Sequence, residues 1–208
     1  MAHPLMYVSG NTQEQEFPLI LTIGREPNYD ELLDDSIGII NDDEFRSMSG
    51  GVWVTAYTQF AKQFFGSTAT SRQLKDICFK KNASPIVFAN AFPMAIPNSV
   101  ADKADMRNNF IASIPIHVAN IFNSQLSKRF RLVIQHGADR SKASELATEL
   151  IKNECAKRNI PYYSSSFFYN GNSIDIQEQL RNASPIIQSI FTEFFGTPDK
   201  AVIVGVTR

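Results

Sequence analysis

Four short stretches each place a chemistry-bearing polar residue directly after an apolar run. In "LILTIGREPNY" (19–29), the run ends in Gly24, Arg25, Glu26, Pro27 and Asn28. A carboxylate at the mouth of a buried run is partly desolvated, which fits it to act as a general base or to stabilise developing positive charge. Gly24 permits a tight turn and close approach of a ligand to the backbone. Arg25 and Glu26 equally read as solvated charges of a plain loop. In "SPIVFANAF" (84–92), Asn90 stands between apolar neighbours. A buried amide must satisfy its donors and its acceptor. Backbone pairing does this, and so does the edge of a planar heterocycle with complementary groups. In "FRLVIQHGADRS" (130–141), His136 is either a satisfied structural residue or a proton-transfer group. Gly137, Arg140 and Ser141 then lead into a helix N-terminus, a setting that favours an anion; an ordinary capped helix accounts for the same residues. In "YYSSSFFY" (162–169), Ser164, Ser165 and Ser166 precede Phe167 and Phe168. Hydroxyls followed by aromatics can hold a phosphate and stack on a base. A strand with outward serines and inward aromatics has the same pattern.

Strands and helices must bring these stretches together. Residues 17–24, 84–92, 130–139 and 160–169 read as buried strands, and 201–206 (AVIVGV) as a last one. Helical patterns cover 50–65, 107–126, 141–159 and 174–195. Trp53, Ala56, Tyr57, Phe60, Ala61 and Phe64 form the apolar stripe of the first. Pro115 kinks the second or starts a new helix. Ser141 is the expected N-cap of the third. Residues 1–16 read as an irregular N-terminal arm. The stretch 25–49 carries five Asp and three Glu and reads as loop with room for a short helix. Residues 171–208 form a C-terminal helix and strand extension.

Alternating strands and helices in one domain, 1–208, predict an α/β fold. The expected architecture is a three-layer α/β/α sandwich around a central, mostly parallel sheet of four to five strands. Ligands of such folds sit beyond the carboxyl ends of the strands, where all four stretches fall.

Composition narrows the function. The 208 residues carry 20 Lys and Arg against 21 Asp and Glu, a net charge of −1, so the chain lacks a strongly basic nucleic-acid footprint overall. The 16 Phe point to an aromatic core. Two cysteines, Cys78 and Cys155, lie outside any CxxC pair; this fits a reduced, cytoplasmic protein and cannot ligate an iron–sulfur cluster within one chain. The opening residues lack the pattern of a secretory signal. No uncharged apolar run reaches the ~18 residues of a membrane span.

The four stretches, in this order, resemble the motifs of the uracil-DNA glycosylase superfamily. "IGREPNY" looks like the family's Gly-x-x-Pro loop, with Gly24 and Pro27 in place. Glu26 stands where several branches carry an Asp or Asn that positions water or stabilises charge. "VFANAF" is similar to the segment whose Asn reads uracil in the best-known branch, and Asn90 matches it. "YYSSSFF" is similar to the Pro-Ser-Ser-Ser form of the last motif; it contains no His or Pro. The resemblance spans roughly residues 17 to 170.

It implies hydrolysis of the N-glycosidic bond of a base flipped out of DNA. Phe45 or Trp53 would stack on the base, Asn90 would bond its edge, and Glu26 would align water or stabilise the cationic sugar. Ser164 to Ser166 would hold phosphates, and Phe167 or Phe168 would be the wedge. The implied partner of this monomer is single- or double-stranded DNA, without metal or organic cofactor. An alternative reading is a catalytically silent relative that binds a nucleic acid, a nucleotide or a protein; a further one is an unrelated α/β enzyme acting on a small phosphorylated or nucleoside substrate. The glycosylase reading predicts a positive stripe from Arg25, Arg140 and Lys142 along the cleft mouth.

Overall fold

The structure is a computed structural model that describes residues 3–24, 33–40, 51–94, 103–137, 141–165 and 174–196. Its strands are β1 (His3–Ser9), β2 (Leu19–Gly24), β3 (Leu33–Ile40), β4 (Ile86–Asn90), β5 (Phe130–His136) and β6 (Tyr162–Ser165). Its helices are α1 (Gly51–Phe65), α2 (Ser71–Lys81), α3 (Lys103–Asn108), α4 (Ile114–Asn123), α5 (Lys142–Lys157) and α6 (Ile174–Phe195). The strands form one sheet in the order β3-β1-β4-β2-β5-β6. All neighbours pair in parallel except β1 and β4. The fold is α/β, with a mostly parallel sheet.

Two expectations are corrected. Residues 3–9 are not part of an irregular arm: they form β1, with Met6 and Val8 fully buried. Residues 33–40, inside the acidic stretch read as loop, form the edge strand β3 in parallel register with β1, Tyr7 facing Gly38 and Val8 facing Ile39. The sheet therefore has six strands among the described residues, not four to five. The expected strand at 201–206 lies outside the described residues. Helices α1, α4, α5 and α6 fall within the expected helical stretches, whereas α2 is unexpected and α3 begins at Lys103, ahead of the expected stretch at 107–126. Pro115 occupies the first turn of α4, where its missing N–H leaves no helical bond unmade.

Period-two alternation along the strands divides the core in two. Ile20, Ile86, Phe88, Leu132 and Ile134 pack with Tyr57, Phe60, Leu74, Phe191 and Phe194 of α1, α2 and α6. Leu21, Ile23, Val87, Ala89 and Val133 pack with Val118, Ile121, Phe122, Ala147 and Ile151 of α4 and α5. Helices thus cover both faces of the central strands. Each fully buried Phe contributes roughly 1.5–3 kcal/mol over its exposed state, so the aromatic content sensed in the sequence is spent on both cores.

A buried polar knot ties the sheet at its far edge, where β4 begins. Thr12 Oγ1 donates to Ser9 O at 2.5 Å and accepts from Ser84 N at 2.9 Å. Ser84 Oγ accepts from Ile86 N at 3.1 Å and pairs with the Tyr57 hydroxyl at 2.5 Å. One knot therefore joins β1, β4 and α1. Gly10, at a φ of +51°, completes the corner: a side chain there would overlap the backbone of Asn82.

Candidate functional site

From β2 the chain passes to the edge strand β3 and back to β4, both on one side of β2, then crosses to β5 on the other. Such a reversal of strand order opens a crevice at the carboxyl ends of the strands. The register sets what lines it. Gly24 pairs with Asn90, Ile23 with Gln135, and His136 with Ser165. Asn90, Gly24, His136 and Ser165 therefore end four neighbouring strands side by side.

Alternation places Gly24, Asn90 and His136 on the α1–α2–α6 face. Their side chains converge there. A Cβ built on Gly24 would lie 3.3 Å from Asn90 Oδ1, 3.4 Å from His136 Cε1 and 3.5 Å from His136 Nε2. The Asn90 amide oxygen and the His136 imidazole thus pack close over the bare Gly24 Cα. His136 is only 3% exposed, whereas Gly24 and Asn90 are half-buried.

The tip of β4 is held from several sides. The Asn90 carbonyl bonds His117 Nε2 of α4 at 2.8 Å, which requires the tautomer that donates from Nε2. Ala91 N donates to the Gly24 carbonyl at 2.8 Å, which extends the β2–β4 ladder one step past the strand. Phe92 packs under the buried guanidinium of Arg107, 5.9 Å from its ring centre. On the same short helix, Asn108 Oδ1 accepts from Ala143 N at 3.2 Å, and so ties α3 to the start of α5. Ser141 Oγ accepts from Ser144 N at 3.2 Å. Ser141 is thus the N-cap its sequence position predicts. The amides of Ala143 and Ser144 are thus both engaged within the protein.

Ser164 belongs to the other face. It pairs with Gln135, whose amide donates to Thr148 Oγ1 at 3.0 Å and accepts from the Tyr162 hydroxyl at 2.8 Å. Burial pushes the Tyr162 hydroxyl up to about 12, so it is a neutral donor at physiological pH. This group is a structural clasp between β5, β6 and α5.

Of the expected site residues, then, Gly24 and Asn90 come together, and His136 joins them. Ser165 stands beside His136 in the ladder, while Ser164 points away from Asn90. Trp53 lies in the first turn of α1, the helix layer that faces the crevice side. Lys142 is exposed at the start of α5. Arg25, Glu26, Pro27, Asn28, Phe45, Arg140, Ser166, Phe167 and Phe168 lie outside the described residues. Glu26 follows Gly24 by two positions in sequence, and both Gly24 and Leu33, which bracket that segment, sit on this edge of the sheet.

No family model, curated protein or solved structure matches the chain. The site is therefore read from its own geometry. Two of its residues had no sequence signal. His117 sits in an amphipathic helix with nothing to mark it, and Arg107 looks like an ordinary surface charge until Phe92 is placed beneath it. Among the described residues, no group of three or more His, Cys, Asp or Glu is placed to hold a metal ion, and no helix is long and apolar enough to cross a membrane.

Proposed function

We propose that the chain is a divergent uracil-DNA-glycosylase-like protein that hydrolyses the N-glycosidic bond of a flipped-out base in DNA. The observation that carries this reading is the Asn90 amide oxygen poised over the bare Cα of Gly24, at the carboxyl edge where the strand order reverses. An amide there can read a base edge through paired donor and acceptor groups. A glycine beside it lets a flat ring come close to the backbone.

In this reading the base enters edge-first against Asn90. Glu26, two residues beyond Gly24, orients a water. The water oxygen bonds to the anomeric carbon as the carbon–nitrogen bond breaks, and the bonding pair leaves with the base. Glu26 accepts the water proton, and the departing base nitrogen is protonated from solvent. A carboxylate also stabilises the cationic sugar electrostatically as the bond stretches. Ser165 and Ser166 and the aromatic residues after them are the proposed contacts to the DNA backbone and neighbouring base. The partner is DNA.

The test is an excision assay on oligonucleotides carrying single uracil, hypoxanthine, xanthine, mismatched thymine or alkylated bases, single- and double-stranded. The expected result is release of one of these bases by the wild type, with Glu26→Gln and Asn90→Ala each at least about 100-fold slower. Binding without release by the wild type would instead support the silent-relative reading. Release unaffected by Asn90→Ala would remove Asn90 from the site.

A further inference from the structure

We propose that residues 201–206 (AVIVGV) close the open edge of the sheet by pairing antiparallel with β3, so that the chain covers its own exposed strand instead of offering it to another chain.

Three observations carry it. The first is the state of the edge. Among the described residues, the outer side of β3 pairs with no strand. Such an edge is a template for other chains, and proteins blunt it with charge, with proline or by covering it. Residues 36–40 carry neither charge nor proline, and Ile39 is 61% exposed. On the same face as Ile39, Leu5 and Ile37 floor an open groove that Asn120 and Asn123 of α4 wall on one side. An apolar strip thus runs from beneath α4 out to the edge.

The second is the hand of the connections. From β4 to β5 and from β5 to β6 the chain moves toward the β6 end, with α4 and α5 on one face of the sheet. α6 follows β6 on the opposite face. The same hand on that face leads back toward β5, where every strand already has two neighbours. A parallel strand outside β6 would need the reverse hand, which occurs in only about 2% of such connections. An antiparallel neighbour of β3 is not a parallel crossover and escapes that constraint.

The third is direction and reach. α6 finishes at the edge where β2 starts, with Phe194 against Phe17. β3 finishes at that edge too, because it runs with β1 and against β4. A strand that starts there therefore runs opposite to β3. Lys81 Nζ lies 5.3 Å from the Phe194 ring centre, the carbonyl of the next residue, Asn82, accepts from Asn11 N at 2.8 Å, and Gly10 N donates to the Ile40 carbonyl at 3.4 Å. These contacts link the end of α6 to the end of β3 by a short path. The chain from Gly196 to Ala201 reaches up to roughly 17 Å when extended. The segment it delivers is uncharged and rich in β-branched residues: Val202, Ile203, Val204 and Val206.

The experiment joins amide hydrogen exchange to disulfide trapping, both on the full chain. Exchange is followed by NMR in the wild type and in Val204→Pro, with a thermal melt as the fold control. Pairing on both sides should protect successive amides of residues 36–40, and Val204→Pro should speed alternate ones at least about tenfold. For trapping, Ile39→Cys is combined in turn with Val202→Cys, Ile203→Cys, Val204→Cys and Gly205→Cys, and Ser164→Cys with the same four as the β6-edge control. Cys78 and Cys155 are buried and stay out of the trapping. The expected result is a within-chain disulfide from position 39, favoured at alternate positions of the segment. A within-chain disulfide from Ser164→Cys alone overturns the proposal by putting the segment at the β6 edge. A between-chain disulfide at position 39 that grows with protein concentration overturns it in favour of a second copy. If alternate amides of wild-type β3 exchange as fast as those of an open edge, nothing covers the strand and the proposal falls, whether or not Val204→Pro folds.

Discussion

His117 holds the Asn90 carbonyl from beneath the sheet, on the face opposite the Asn90 side chain. Its replacement by Ala would leave a half-buried carbonyl one partner short, which costs about 0.5–1.5 kcal/mol. Urea unfolding of His117→Ala should show that loss. His117→Gln, which can still donate, should recover part of it. Ser84 makes a sharper case, because one hydroxyl serves both Ile86 N and the Tyr57 hydroxyl. Ser84→Ala should lower stability by roughly 1–3 kcal/mol, while leaving ligand binding at the opposite edge untouched. Asn90 was legible in the sequence because an amide inside an apolar strand needs an explanation. His117 was not, because a histidine at a helical position is marked only by what it meets in three dimensions. His136 had no fixed neighbour in the sequence; the strand register sets it near Gly24.

At the scale of elements, legibility followed burial on both faces. β2, β4 and β5 lie in the interior of the sheet, so their sequences are continuous apolar runs. β1 lies inside the sheet too, between β4 and the edge strand β3, but HPLMYVS opens on a His and a Pro and offers only a short apolar stretch. β3 reads LDDSIGII, with two acidic residues and a glycine that strand propensity disfavours. Pairing with β1, not its own composition, makes it a strand, and only tertiary structure reveals that. The helix α2 was similarly quiet: its buried stripe is little more than Leu74 and Cys78, with the Lys75 stem between. It is delimited instead by its ends, where Thr70 N donates to Gln73 Oε1 at 2.8 Å and Asn82 turns left-handed at a φ of +47°. The α5 cap was readable, and it can be tested. Ser141→Ala should cost about 0.5–2 kcal/mol, and Ser141→Asp should retain most of the capping. A thermal melt of the pair measures both. The Gly10 corner is less tolerant. Gly10→Ala combines a left-handed backbone with overlap at Asn82, and should destabilise more than the Ser141 variant in the same assay.

Across the whole molecule, burial couples stability to alkaline pH. Desolvation pushes the thiols of Cys78 and Cys155 and the hydroxyl of Tyr162 up to about 12, and raises Tyr57 as well. A group whose pKa is higher in the folded chain than in the unfolded one favours folding fully while both states are protonated. That contribution declines as pH passes the unfolded value, about 8.5 for a thiol and 10 for a tyrosine, and goes on declining toward the folded one. Lys75 and Arg129, both lowered by burial, act in the opposite direction but are two groups against four. The thermal midpoint should therefore fall between pH 8 and pH 11, and a flat profile would contradict this burial. In the same vein, both thiols should be silent to a thiol reagent at pH 8 in the native chain and titrate as two on unfolding in urea.

The direction of β1 has a practical reach of its own. Because β1 runs against β4, with Met6 opposite Ala89, it starts at the edge where Asn90 ends. α6 starts at that edge too, but finishes at the opposite one, where Phe194 meets Phe17 just ahead of β2 at a ring separation of 4.5 Å. A purification handle or surface tether fused ahead of β1 would emerge in front of the crevice and crowd an incoming oligonucleotide. One joined directly to the last turn of α6, in place of the residues that follow it, would anchor the molecule by its back, with the crevice turned outward. Immobilised in these two orientations, the same protein should give different apparent on-rates for a ligand of the Asn90 edge, and the difference would locate the site without altering a single residue.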